Sequence, residues 1–189
     1  MTVATCTAFA GDRLIATGAP SVVAAAVKVA HDAGEAVLIF DDADARPVEF
    51  DLRGDVDAVL ARLTPAEVVE KRGPGRPKLG VTAREVTLLP RHWDWLAAQP
   101  GGASVALRKL VENALREAEG PDRVRCSREA AYRFMTAVAG DQPGYEEATR
   151  MLFAGDWTAF EAAIQSWPVG VRTYAARLAE GGWNNGQGR

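Results

Sequence analysis

Positive charge dominates the one stretch of this chain whose residue types point to chemistry. Lys71, Arg72, Arg76 and Lys78 stand among Gly73, Pro74, Gly75 and Pro77, and Arg84, Arg91, Arg108 and Lys109 follow. Residues 71–128 carry 12 basic and 6 acidic side chains, whereas residues 1–70 carry 5 basic and 12 acidic ones. Residues 129–189 hold 5 and 7, so a net charge of −3 conceals a middle of +6. Charge segregated in this way calls for a polyanionic partner, or for an acidic protein surface on which the middle docks. Three carboxylates, Asp41, Asp42 and Asp44, follow an apolar run and are the kind of cluster that holds Mg²⁺. No lysine, histidine or glycine-rich loop joins them, and a solvated turn is the plainer account, since aspartate there bonds its own backbone. His31 falls in the last turn of one helix and His92 in the first turn of another, with no nucleophile motif beside either. The residues thus predict no catalytic constellation, no metal site and no cofactor.

Lys71 to Lys78 resembles an AT-hook, whose core is Arg-Gly-Arg-Pro flanked by basic residues. That resemblance implies an extended Pro/Gly backbone in a narrow A·T minor groove, with Arg76 drawn in by the groove's negative potential and Lys71, Arg72 and Lys78 beside it. Pro74 stands where the first core arginine would be, so the strict match is Gly75-Arg76-Pro77. Arg84 to Glu117 resembles the ribbon–helix–helix family of dimeric DNA-binding proteins. The matching residues are a strand ending in Leu89-Pro90, Trp93 and Leu96 on one face of a first helix, and the turn Gly101-Gly102-Ala103-Ser104. Leu107-Arg108-Lys109-Leu110-Val111 follow on a second helix. The resemblance implies strands from two chains paired antiparallel in the major groove, with Arg84 and Thr87 near bases. It also implies Ser104 as N-cap of the second helix, with Ser104, Arg108 and Lys109 holding phosphates. Val86 and Leu88 depart from that family's pattern, because aliphatic side chains read no base edges.

These residues need elements to hold them. Residues 1–63 read as a small α+β unit of order β-β-α-β-β-α. Thr5 to Phe9 alternates, Gly11-Asp12 turns, and Arg13 to Thr17 returns. Pro20 and Ser21 open a helix with an apolar face of Val22, Val23, Ala26, Val27 and Ala30, and Gly34 stops it. Ala36 to Phe40 is a continuous apolar run, as in a strand buried on both faces. Val48 to Leu52 alternates and is expected to pair with it as a hairpin, and Asp55 caps a short helix to Leu63. Residues 64–82, with Pro65, Pro74, Pro77, Gly73, Gly75 and Gly80, form a basic linker. The ribbon–helix–helix-like segment spans 83–119, with Arg84 to Leu89 as strand, Arg91 to Gln99 as first helix and Ser104 to about Ala118 as second. Residues 127–181 read as a helical bundle: Arg128 to Ala139, Gly144 to Phe153, Trp157 to Ser166 and Val169 to Ala179. Its aromatic residues are expected in the core, at helical spacing.

An apolar content of 48% with 25% charged residues is that of a globular protein. Apolar runs are too short for a membrane span. The N-terminal MTVATCTAFAGDR lacks the basic and apolar regions of a signal peptide, and Cys6 and Cys126 belong to no CxxC pattern, so a reducing cytoplasm is expected. The block from Gly75 through Arg84-Glu85-Val86-Thr87-Leu88-Leu89-Pro90-Arg91-His92-Trp93 to Ser104 resembles a bacterial protein family of unknown function, known from genomes. That resemblance implies no activity or substrate. The expectation is a homodimeric, transcription-regulator-like protein that binds double-stranded DNA through residues 71–119. The rival is a protein-interaction or oligomerisation module with no nucleic-acid role, and an enzyme stands third.

Overall fold

A tight turn at Gly11-Asp12, with Gly11 at φ +57°, folds β1 (Cys6–Ala10) back on β2 (Arg13–Gly18). Pro20, at the first position of α1 (Pro20–Asp32), has a fixed φ suited to a helix start and no N–H to leave unpaired. After α1 the chain reverses at Gly34, which has a φ of +81°, and returns as β3 (Val37–Asp41) along the other side of β1. The sheet is antiparallel, in the order β2-β1-β3. The computed structural model describes residues 5–63, 82 and 84–183. Linker positions 64–81, including Lys71, Arg72, Arg76 and Lys78, lie outside them.

Residues 1–66 and 120–189 make one compact unit, and residues 67–119 make another. In the first, the central strand β1 is buried on both faces, and its side chains alternate between two cores. Cys6 and Ala8 face Val23 and Val27 of α1, with Ile39 of β3 alongside. Phe9 faces the opposite way, towards the C-terminal helices, and Phe40 of β3 joins it.

The expected fourth strand does not form. Phe40 and Pro47 make an isolated bridge, and the Val48 N–H donates to the Ile39 carbonyl (2.8 Å), where the pairing ends. Pro47 has no N–H to contribute to a ladder. Val48, Phe50 and Leu52 still pack on the α1 side of the sheet, but their backbone is fastened by a side chain. Arg62 donates to the carbonyls of Asp51 (2.8 Å) and Arg53. Asp55 caps α2 (Val56–Leu63) as its position predicts, accepting from the Ala58 N–H (2.9 Å).

In the second unit, α3 (Pro90–Ala97) again starts on a proline. Two consecutive glycines with positive φ, Gly101 (+87°) and Gly102 (+74°), then turn the chain into α4 (Gly102–Val138). This helix is continuous where two were expected, and it carries Pro121 in its interior. The proline removes one intrahelical bond at a cost of roughly 3 kcal/mol. Ion pairs from Arg125 to Asp122 (3.1 Å) and Glu129 (3.0 Å) stitch the turns that follow. Ala130, Ala131, Phe134 and Met135 bury the helix in the first unit. Alpha-helix 4 is therefore shared: residues up to Glu119 belong to the second unit and those from Gly120 to the first.

The remaining helices are α5 (Tyr145–Ala154), α6 (Trp157–Ala163) and α7 (Val169–Ala179), closed by a 3-10 turn at Glu180–Gly182. Gly155, with a φ of +79°, ends α5, and Asp156 caps α6 through the Ala159 N–H (3.0 Å). The C-terminal aromatics Phe134, Phe160, Trp167 and Tyr174 are buried, as helical spacing predicts. Tyr132 and Phe153 are exceptions, exposed and packed edge to face at 5.6 Å.

The first unit is joined by rings. Phe134 lies 5.1 Å from Phe9, 5.3 Å from Phe40 and 4.6 Å from Tyr174, with no exposed surface of its own. Phe134→Ala is expected to destabilise the protein by about 3–5 kcal/mol, lowering the melting temperature by roughly 6–20 °C. A calorimetric melt displaced by less than about 2 °C would show that the aromatic cluster does not hold the unit together.

Candidate nucleic-acid interface

The described members of the predicted site, Arg84, Thr87, Ser104, Arg108 and Lys109, all lie in the second unit, and all are exposed. Arg84 to Leu89 is not a strand in the single chain and pairs with no other segment among the described residues. A ribbon needs a second strand, and one copy of this segment supplies only half. Ser104 is not the N-cap expected of it. Because Gly101-Gly102 places the helix start two residues earlier, Ser104 is the third residue of α4. Its N–H is still among the first-turn amides that no carbonyl within the helix can reach. Its carbonyl accepts from Arg108 Nε (3.1 Å).

Two further cations belong with this group. Arg91 is exposed at the start of α3, and Arg116 is exposed on α4, bonded to Asn113 Oδ1 (2.7 Å). Arg84, Arg91, Arg108, Lys109 and Arg116 make no ion pair among the described residues. The first unit treats its charge differently. Arg13, Lys28, Arg46, Arg53, Arg62, Arg125, Arg150 and Arg177 each pair with a carboxylate there. Sequence alone marked Arg108 and Lys109 through the family pattern. Spacing could not have found Arg91 and Arg116, because Asp94 stands three positions from the first, and Glu112 and Glu119 four and three positions from the second, without pairing with them.

The second unit also leaves apolar side chains in the open. Leu96 and Ala106 are its buried residues among those described, while Val86, Leu89, Trp93, Trp95, Leu110, Val111 and Leu115 are exposed. Leu107, Leu110, Val111, Ala114, Leu115 and Ala118 recur at intervals of three and four, forming one stripe along α4.

Asp41 and Asp44 bond the backbone of their own turn, as expected of aspartates there, and Asp42 alone is turned inward. Asp42 is half-buried with its side chain only 7% exposed, and Oδ1 accepts from the Thr7 hydroxyl (2.7 Å), the Tyr174 phenol (2.9 Å) and Arg177 (2.7 Å). Its own N–H donates to the Thr5 carbonyl (3.0 Å), and Arg133 donates to the Asp44 carbonyl. Asp41 does bond its own turn, accepting from the Ala43 N–H (2.8 Å). Among the described residues no group of three His, Cys, Asp or Glu is arranged to hold a metal ion. Burial opposes the charge on Asp42, but the donors from Thr7, Thr5, Arg177 and Tyr174 outweigh it and hold its carboxyl below the usual carboxylate range. Burial, with Asp42 and Asp41 nearby, pushes the Cys6 thiol up to about 11, so it stays protonated at neutral pH and is no nucleophile. No helix among the described residues is long and apolar enough to cross a membrane.

The profile of a family described as uncharacterized protein conserved in bacteria (DUF2239) matches residues 5–179, and the chain belongs to that family. No curated protein and no solved structure matches it.

The Asp42 network has a pH signature. A carboxyl held low in the folded state contributes stability that is present above its unfolded value near 3.8 and is lost as pH falls through the lower folded value. Urea midpoints are expected to be constant from pH 7 to 5 and to drop below about pH 4. Asp42→Asn should cost about 1.5–3 kcal/mol at pH 7 and flatten that acid limb. An unchanged limb in the variant would assign the acid sensitivity to other groups.

Proposed function

We propose that this member of the family is a homodimeric DNA-binding protein of the transcription-regulator kind, contacting double-stranded DNA through residues 71–119. The observation that carries the reading is the set of cations without an acid partner among the described residues: Arg84, Arg91, Arg108, Lys109 and Arg116, in a chain whose other unit pairs most of its arginines. An unpaired arginine keeps its full Coulomb attraction for phosphate, and each phosphate it neutralises releases a counterion. The N-terminal turn of α4, with its first-turn amides at Ala103 and Ser104, adds a second kind of phosphate donor beside Arg108, while the Gly102 N–H donates to the Gln99 carbonyl (2.9 Å).

The ribbon–helix–helix-like part of the proposal places Arg84 and Thr87 on a two-chain ribbon, with Arg108 and Lys109 on the flanking backbone. The AT-hook-like part places Arg76 in an adjoining minor groove, flanked by Lys71, Arg72 and Lys78. The dimer part draws on the exposed stripe of Leu110, Val111 and Leu115 with Val86, Leu89 and Trp93, which one chain leaves in water. The same apolar face also favours a second reading, an oligomerisation or protein-docking module with no nucleic-acid role.

Fluorescence anisotropy with A·T-rich and G·C-rich duplexes at about 50 and 200 mM salt separates the two readings. The proposal expects binding that weakens steeply with salt and prefers A·T. Arg108→Ala with Lys109→Ala should reduce the log–log salt slope by about 2. No binding at the lower salt would leave the interaction module standing alone. For the dimer, Leu115→Asp should convert the protein to a monomer in sedimentation equilibrium, and a variant that sediments like the parent would remove the stripe from the interface.

A further inference from the structure

The short helix α3 carries two exposed tryptophans that cannot share a role. At about 100° per residue, Trp93 and Trp95 lie on opposite sides of the helix. Trp93 stands with Leu96, which is buried, and with Ala97. Trp95 shares its side with Arg91, His92 and Gln99, and it is 52% exposed. Neither ring meets another aromatic ring or a cation among the described residues. In the first unit, by contrast, Trp157 and Trp183 pack in a tilted pair at 5.1 Å, and Trp167 is buried with its indole N–H on the Pro143 carbonyl (2.8 Å).

The surroundings of Trp95 are polar and cationic. Arg91 makes no ion pair, and its Nε lies 3.5 Å from His92 Nε2. Gln99 folds back to donate to the Trp95 carbonyl (3.2 Å). Asp94, the only carboxylate of α3, flanks Arg91 without pairing with it. A protein-docking hot spot sets its tryptophan in an apolar, desolvated surround. Here a lone indole face is ringed by donors and one free positive charge. That combination suits an unpaired nucleobase, whose π-face stacks on the indole while its phosphate meets the guanidinium.

We propose that the Arg91–His92–Trp95 face of α3 is a stacking platform for single-stranded nucleic acid, which shares Arg91 with the duplex contacts assigned above and differs from them in His92 and Trp95. It draws on the same excess of positive charge in the second unit. Its occupant differs, because a base inside a duplex offers no free face to the indole.

The test uses the full chain with a fluorescein-labelled (dT)20 and, in parallel, an A·T-rich duplex, at about 50 mM salt. Binding of (dT)20 should quench tryptophan emission. Trp95→Ala should weaken the affinity for (dT)20 by about tenfold and change duplex affinity by less than about twofold. Trp95→Phe, which keeps a stacking ring, should restore most of the loss, and far-UV circular dichroism should match the parent for both variants. If the parent binds (dT)20 but not the duplex, and Trp95→Ala abolishes that binding, the duplex reading fails and the platform stands. A parent that ignores (dT)20, or Trp95→Ala binding it as tightly as the parent, would overturn the platform. So would an equal loss for (dT)20 and duplex in a natively folded Trp95→Ala.

Discussion

Four aromatic rings hold the first unit together, and nearly everything else in it follows from keeping them dry. Phe9 and Phe40 come from the sheet, Phe134 from α4 and Tyr174 from α7, in tilted and edge-to-face contacts between 4.6 and 6.4 Å. Tyr174 brings a hydroxyl into this core, and a buried hydroxyl without a partner is costly. Asp42 meets that need and adds Thr7 and Arg177 to the same oxygen. Arg177 in turn lies 4.6 Å from the Tyr174 ring centroid. The turn after β3 is thereby tied to the last helix by charge-assisted bonds that water reaches poorly. The sheet has only three strands, and it is stable because both of its faces are covered.

The second unit follows the opposite rule. Among its described residues the cations make no ion pair, most large apolar side chains are exposed, and two residues are buried. A segment of this size does not bury enough apolar area by itself to offset its chain entropy. The first unit pairs most of its arginines within its own fold, although Arg128 Nε, Thr149 Oγ1 and Trp183 Nε1 are buried there without a hydrogen-bond partner among the described residues, and the described part of the second keeps cationic and apolar surface available. The division of labour is visible in the described arginines: those of the first unit mostly hold carboxylates or carbonyls of their own chain, and those of the second hold neutral acceptors or none among the described residues.

Local signals in the sequence were read correctly. The hairpin around Gly11, the proline starts of α1 and α3 and the Asp55 cap rest on interactions within a few residues, and the buried aromatics of the C-terminal helices follow from helical spacing. What misled was also local. Val48 to Leu52 has the alternation of a strand, but a proline stands where the ladder would continue. Gly120-Pro121 looks like a helix terminator, yet packing on one side and ion pairs on the other carry the helix through. Asp42 could not be read at all, because its partner Tyr174 lies 132 positions away and an aspartate in a turn has an ordinary explanation close by. The union of residues 1–66 with 120–189 has the same origin: no periodicity announces which distant face will cover a sheet. Of the candidate site, charge segregation showed the region, and the structure added that Arg91 and Arg116 make no ion pair among the described residues and that Trp95 lies opposite Trp93 on α3.

The first unit is interrupted in the chain by the whole of the second, and this sets an order of events on the ribosome. When Phe9 and Phe40 leave the exit tunnel, Phe134 and Tyr174 have not been made. At ordinary elongation speeds roughly ten seconds of synthesis separate them. During that interval a three-stranded sheet with one bare aromatic face waits while the cationic segment emerges behind it. Contacts of such sequence separation also close slowly once the chain is free. The nascent protein therefore passes through a sticky, half-covered stage that its finished form gives no hint of, and a cell making it in quantity must shield that face until α7 arrives.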